Sequence, residues 1–129
     1  MISKLAGIHV QWPISTLIID GKKTIETRTY PLPAKYIGVP LALVETPGKQ
    51  GRFKARLIGV IQFDNSFQYN SRRDFYKDSQ RHCVTPESPW RWVDNKPKFG
   101  WPVRVLERFK SPKAAPKKRG IIFCNNCEV

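Results

Sequence analysis

The sequence lacks any apolar run that approaches the roughly 20 residues needed to cross a bilayer. It also lacks a long basic amphipathic helix of the kind that lies on a membrane surface. The first residues, as far as His9, contain no long apolar segment typical of a secretory signal. We therefore expect a cytoplasmic protein with no membrane partner.

Patterns that hold cofactors or catalytic metals are also missing. There is no glycine-rich phosphate loop, no Ser/His/Asp arrangement and no carboxylate cluster fit for two metal ions. We predict no cofactor and no metal, and structural rather than catalytic roles for His9 and His82.

Cysteine is scarce, with only Cys83, Cys124 and Cys127 in the chain. An odd number argues against a disulfide framework and fits a reducing compartment. The Cys124-x-x-Cys127 spacing is a weak indication of zinc or of redox chemistry. Zinc usually needs four ligands, and only the adjacent His82 and Cys83 could supply a second pair.

Acidic residues are few, 10 against 23 lysines and arginines, so the formal net charge of the 129 residues is +13. Such an excess predicts attraction to polyanions and says nothing about the fold. We expect RNA as the partner, with DNA possible, and a merely solvated basic surface as the alternative. The basic segments are residues 49–56, 72–73 and 110–119.

The length fits one domain, residues 1–129, because no linker or repeat divides the chain. Alternating apolar residues predict strands at 5–10, 22–29, 37–45, 54–63, 99–109 and 120–124. Helices are predicted after Trp12-Pro13 and at residues 71–81, where Ser71 is the expected N-cap. Loops are predicted at 82–97 and 111–119. This order favours an α+β fold, a small mixed and mostly antiparallel β-barrel with short flanking helices.

The segment that follows the first helix concentrates charge beside a glycine. Gly21 is expected to end the helix, because glycine tolerates a positive φ. In the strand that follows, alternation places Thr24, Glu26 and Arg28 on one face. A strand that carries both signs of charge next to a glycine turn predicts a ligand site.

This segment, Gly21-Lys22-Lys23-Thr24-Ile25-Glu26-Thr27-Arg28, resembles the hallmark of the ASCH domain, a relative of the PUA domains. The hallmark reads Gly-x-Lys-Thr-(apolar)-Glu-x-Arg. The later segments 38–44, 99–105 and 120–123 are similar to further strands of that family. The resemblance implies a PUA-like β-barrel with a cleft beside the hallmark strand, and RNA binding in general.

The same resemblance implies two possible hydrolytic activities. Some ASCH members are ribonucleases, and another small branch is an amidohydrolase that acts on N4-acetylcytidine. That branch matches this chain at Lys23, Thr24 and Arg28 but carries a threonine in place of Glu26. The threonine belongs to that branch's active site, so the departure counts against the same amidohydrolase reaction.

Several residues are candidates for contact with nucleic acid. Lys23 and Glu26 are the candidate catalytic pair, as a point charge and a general base, although Glu26 could equally form a salt bridge with Arg28 or Lys23. The candidate nucleic-acid-binding set is Trp12, Lys22, Lys23, Thr24, Glu26, Arg28, Tyr30 and Arg52.

Aromatic residues near this segment could stack on an unpaired base. Trp12, Tyr30 and Tyr36 are the nearest in sequence, although each could instead belong to the core. In the loop that carries Trp90 and Trp92, we expect one tryptophan to reach the cleft and the other to close the core. An adaptor for DNA or for another protein is the remaining alternative to RNA binding.

Overall fold

The computed structural model describes residues 4–49, 51–116 and 122–129. Within these ranges, seven strands form the framework, and their bounds are β1 Lys4–Gln11, β2 Ile25–Arg28, β3 Pro40–Thr46, β4 Arg56–Phe63, β5 Phe67–Gln68, β6 Phe99–Ala114 and β7 Phe123–Glu128. Three short helices complete it, namely α1 Ile14–Ile19, α2 Arg72–Lys77 and α3 Ser79–His82, together with a 3₁₀ turn at Ala34–Tyr36. Within the described ranges, no helix has the length and apolarity to cross a membrane.

The strands follow the order β2-β6-β4-β3-β1-β7, and β5 adds a short pairing to β6. Among the strand pairs of the described residues, β1 and β3 run parallel and the others are antiparallel, and one isolated parallel bridge joins Ile37 to Phe63. The predicted α+β class and mixed, mostly antiparallel sheet are therefore confirmed. The predicted closed barrel is not, because no pairing within the described residues joins β2 at one end of this order to β7 at the other.

The main core lies against the centre of this sheet. In β3, residues 41–45 are all buried, as expected for a strand that is apolar on both faces and has a neighbour on each side. Trp101 of β6 is fully buried, with its indole N–H donating to the Tyr30 carbonyl at 3.1 Å. A smaller buried cluster is formed by Tyr69, Phe75 of α2 and Val84.

The helix predicted over residues 71–81 is divided in two. Ser71 is the N-cap of α2, as predicted, and accepts a hydrogen bond from the Asp74 amide at 3.1 Å. The helix is interrupted at Asp78, whose carboxylate accepts a hydrogen bond from the Tyr69 hydroxyl at 2.5 Å and pairs with Arg81. These contacts fix Asp78 between α2 and α3, which sequence periodicity could not reveal.

The prediction of a loop over residues 111–119 is wrong for residues 111–114, which belong to β6. Strand β6 continues to Ala114 because Lys113 and Ala114 pair with Leu57 and Arg56 of β4. Residues 117–119 of that basic segment, and residues 120–121 of the predicted last strand, lie outside the described residues. The last strand is β7, which begins at Phe123 and pairs with β1.

The remaining boundaries differ by a few residues. Helix α1 begins at Ile14, one residue after Pro13, and the Trp12–Pro13 peptide bond is cis. The strands predicted over 22–29, 37–45 and 54–63 begin at Ile25, Pro40 and Arg56 respectively.

Gly21 ends α1 in the way that the sequence predicts. Its φ is +77°, its amide donates to the Ile18 carbonyl at 3.0 Å, and the Lys22 amide donates to the Leu17 carbonyl at 3.0 Å. These two bonds form a Schellman motif, which reverses the chain and directs it into the hallmark strand. The Lys23 amide also donates to the Leu17 carbonyl, at 2.9 Å, so the turn sets the position of Lys23 directly.

We expect Gly21→Ala to lower the free energy of unfolding by about 1 kcal/mol, measured by urea denaturation. A Cβ at Gly21 would have nothing within 4 Å, so the loss would come from the left-handed backbone alone. Gly21→Asn is the matched control and should lose less, because asparagine adopts this conformation more readily. Equal losses in the two variants would contradict this account of the turn.

Candidate functional site

A cleft of about 540 Å³ lies between residues of β1 and residues of β2, two strands that do not pair with each other within the described residues. Residues 9–11 of β1 line one wall, residues 26–28 of β2 line another, and the segment from Cys83 to Trp90 lines a third. Arg28 spans the gap, with its Nη2 donating to the His9 carbonyl at 3.3 Å. The volume lies within the range of about 300–1,000 Å³ typical of small-ligand sites.

Lys23 lies at the base of this cleft and is only 3% exposed. Its ammonium donates to the backbone carbonyl of His82 and lies 3.8 Å from Oε1 of Glu26. Burial lowers the pKa of Lys23 below the ordinary lysine value, and the nearby Glu26 carboxylate opposes this shift. Lys23 therefore joins the hallmark segment to the end of α3.

Glu26 and Arg28 form the ion pair that the sequence left open as an alternative. Oε2 of Glu26 lies 3.2 Å from Arg28 Nη2, and Oε1 accepts a hydrogen bond from the Thr27 amide at 2.9 Å. Glu26 is thus bonded on both oxygens at 5% exposure while still lining the cleft. The Arg28 guanidinium also lies 5.5 Å from the centre of the Trp101 ring, a cation–π distance.

Lys98 is a site residue that sequence reasoning missed. It directly precedes β6, lines the cleft, is 7% exposed and donates to the Trp90 carbonyl at 2.9 Å. Burial lowers its pKa, the charge of Lys23 lowers it further, and Glu26 opposes the shift. Nothing near Lys98 in the sequence indicates this position, because it depends on the pairing of Arg28 with Phe99 across β2 and β6.

His82 has the structural role predicted for it. Its ring is fully buried, Nε2 donates to the Phe75 carbonyl at 2.6 Å and Nδ1 accepts from the Val84 amide at 2.9 Å. Burial is the main cause of its lowered pKa, so the neutral ring is favoured. With both nitrogens engaged, His82 is not available as an acid or base. His9 lines the cleft on the β1 side.

The two loop tryptophans separate as predicted. Trp90 lines the cleft at its rim and is 39% exposed. Trp92 packs on Phe75, with ring centres 5.8 Å apart, and closes the small cluster. Trp90 therefore contributes an exposed aromatic surface to the cleft.

Of the two tyrosines predicted to stack on a base, Tyr30 lines the cleft and Tyr36 does not. Tyr30 lines it, and its hydroxyl accepts a hydrogen bond from Arg28 Nη1 at 3.4 Å while its ring packs edge-on against Trp101 at 5.5 Å. Tyr36 instead is half-buried and stacks on Phe123 with ring centres 4.1 Å apart, packed against the core.

Four residues of the predicted binding set do not line the cleft. Lys22 and Thr24 are exposed on either side of the buried Lys23, and the Thr24 amide donates to the Arg81 carbonyl at 2.8 Å. Trp12 packs edge-on against Phe53, with ring centres 6.5 Å apart. Arg52, which directly precedes Phe53, is exposed. The structure thus brings together Lys23, Glu26, Arg28 and Tyr30.

The cysteines lie apart from the cleft, except for Cys83 at its edge. Cys124 and Cys127 are buried free thiols, with sulfurs 3.2 Å apart, and burial raises the pKa of Cys127 to about 12. A thiol in that state is a poor nucleophile and metal ligand. Within the described ranges, no group of three His, Cys, Asp or Glu side chains could hold a metal ion.

The two buried lysines predict a pH dependence of stability. Since burial lowers the pKa of Lys23 and Lys98, the unfolded chain binds more protons than the folded chain just below the ordinary lysine value of 10.5. Their contribution therefore increases the free energy of unfolding as the pH rises through this window. The charged and titratable groups that act on Lys23 are Glu26, Cys83 and Arg28.

Urea unfolding between about pH 8 and pH 10 tests this in wild type and in Lys23→Met/Lys98→Met. The variant contains neither lysine, so its free energy of unfolding lacks their pH-dependent contribution. The free energy of unfolding of the variant minus that of wild type should therefore be highest at the lower pH and decline as the pH rises. A difference that stays constant across this range would contradict the lowered pKa values.

The fold has known counterparts, although no protein-family model and no curated protein matches this chain. A serine-to-alanine variant of ZmASCH from Zymomonas mobilis superimposes with a TM-score of 0.67 at 16% identity, covering 93% of this chain and 86% of that one. A tyrosine-to-phenylalanine variant gives 0.56 at 18% identity, over 83% and 70%. The crystal structure of ASCH from the same organism gives a TM-score of 0.55 at 19% identity, over 83% of this chain and 68% of that one.

Proposed function

We propose that this chain, which has the ASCH-domain fold, binds RNA by inserting one unstacked nucleotide into the cleft beside β2. The observation that carries the proposal is the cleft itself, where Lys23, Glu26 and Arg28 of the hallmark segment converge. A space of this volume suits one nucleotide and not a duplex. Bases splayed out of a single strand are the usual targets of sequence-specific RNA recognition.

Aromatic and charged groups at the cleft support this proposal. Trp90 offers an exposed ring at the rim, and stacking of a base on such a ring contributes about 1–3 kcal/mol. Glu26 can accept from a base amino group, and Arg28 can donate to a phosphate or a base edge. The net charge of +13 adds attraction that does not depend on sequence.

Binding can be tested by fluorescence anisotropy with labelled single-stranded RNA and duplex DNA at two salt concentrations. We expect wild type to bind RNA more tightly than duplex DNA. Lys23→Met should weaken RNA binding about tenfold, the usual size of a lost charge-assisted contact.

Lys22→Met is the matched control, because it removes the same charge from an exposed neighbour. It should weaken binding only through the salt-sensitive electrostatic contribution. Absence of tight RNA and DNA binding at low salt would overturn the proposal. Equal losses in the two variants would also overturn it, because binding would then depend on general charge and not on the cleft.

A second candidate function is hydrolysis of RNA or of a modified nucleoside in the same cleft. The observation that favours it is the pair formed by Lys23 and Glu26, 3.8 Å apart at the base of the cleft, with the pKa of Lys23 lowered by burial. A lysine with a lowered pKa can accept a proton or attack as a nucleophile at a pH where an exposed lysine cannot.

This second function predicts that Lys23→Met and Glu26→Gln each abolish turnover. The measurement is cleavage of labelled RNA and deacylation of acylated nucleosides, with circular dichroism to establish that each variant is folded. Retained RNA binding in Glu26→Gln would separate a catalytic role from a binding role. Turnover that survives in both variants would reject the assignment.

A further inference from the structure

The cleft is lined by more positively charged than negatively charged side chains. Among the described residues, its charged side chains are three cations, Lys23, Arg28 and Lys98, and one carboxylate, Glu26. Glu26 is already engaged by Arg28 at 3.2 Å, whereas its distance to the Lys23 ammonium is 3.8 Å. The ion pair with Arg28 therefore leaves the two lysines as an excess of positive charge.

Neither ammonium uses its full hydrogen-bonding capacity within the described structure. An ammonium carries three N–H donors. Lys23 makes one hydrogen bond, to the His82 carbonyl, and Lys98 makes one, to the Trp90 carbonyl. Both side chains are more than nine-tenths buried and line the cleft, so their remaining donors lack the hydration that an exposed lysine has.

This arrangement is unfavourable in the absence of a ligand. Burial lowers the pKa of both lysines, and the charge of Lys23 further lowers that of Lys98. Removing two like charges from water without matching counter-charges destabilises the folded state. An anionic ligand would supply both the missing charge and the missing acceptors.

We propose that the ligand of this cleft carries a phosphate group, and that the ammonium groups of Lys23 and Lys98 hold that phosphate. The inference rests on the proposed function and specifies its ligand as a phosphorylated nucleotide, not a neutral nucleoside. Phosphate oxygens accept charge-assisted hydrogen bonds from ammonium groups. Trp90, whose carbonyl is bound by Lys98, presents its ring at the same cleft for the base.

The first test compares the four ribonucleosides with their 5′- and 3′-monophosphates by calorimetric titration at fixed ionic strength. At least one monophosphate should bind about tenfold or more tightly than its nucleoside. Lys98→Met should abolish that advantage, whereas the control Lys96→Met, which removes an exposed lysine of the same loop, should preserve it. Equal affinities for nucleoside and monophosphate, or equal effects of the two variants, would overturn the inference.

A second measurement uses the unaltered protein, so that it does not depend on a variant folding. Inorganic phosphate is titrated while the side-chain resonances of the lysines are followed by NMR across the alkaline range. The pKa of Lys23 and Lys98 should rise when phosphate binds, because an anion favours the charged form. Unchanged pKa values at saturating phosphate would overturn the inference.

Binding of a short RNA with and without a terminal phosphate distinguishes the source of the phosphate. The same measurement separates this inference from the proposed function. If a short RNA binds more tightly with a terminal phosphate than without, the cleft takes a chain end. If both bind alike and both lose affinity in Lys98→Met, it takes an internal phosphate. If RNA binds and Lys98→Met has no effect on either RNA, the phosphate inference fails and RNA binding stands. If no RNA binds while monophosphates do, the proposed RNA function fails instead.

Discussion

The contact between the buried Lys23 ammonium and the His82 carbonyl constrains the rest of the site. A buried cation needs hydrogen-bond acceptors, so the end of α3 must lie against the hallmark segment. The His82 ring is fixed in turn by the Phe75 carbonyl and the Val84 amide, and this links α2, α3 and the start of the loop that walls the cleft. Lys23 thereby joins the hallmark segment, which carries Glu26 and Arg28, to the segment from Cys83 to Trp90, which lines the cleft.

The open sheet and the cleft are two aspects of the same geometry. A closed barrel of this size fills its interior with side chains. Within the described residues β2 pairs with β6 alone, and its link to β1 is the Arg28 side chain, which donates to the His9 carbonyl, and not a backbone hydrogen bond. The cleft lies beside this strand, at the place where Lys23, Glu26 and Arg28 converge.

The features that the sequence predicted correctly are those set by neighbouring residues. The glycine stop at Gly21, the Ser71 cap and the doubly buried β3 follow from local chemistry and apolar pattern. The division of the 71–81 helix, the extension of β6 and the position of Lys98 depend on contacts with residues far along the chain. Periodicity carries no information about those partners. Of the cleft residues, the sequence predicted Lys23, Glu26 and Arg28 from the hallmark segment and Tyr30 and a loop tryptophan from their aromatic character, but not Lys98.

The register of β2 also determines when the site can exist during synthesis. Ile25 pairs with Pro102 and Arg28 with Phe99, so the hallmark strand has no β-partner until β6 has been made. A nascent chain that has not yet reached Lys98 contains every hallmark residue but neither the partner strand nor the second buried lysine. Pairing between segments so far apart in sequence carries a large loop-closure cost. A chain truncated before β6 would therefore carry the motif without the site.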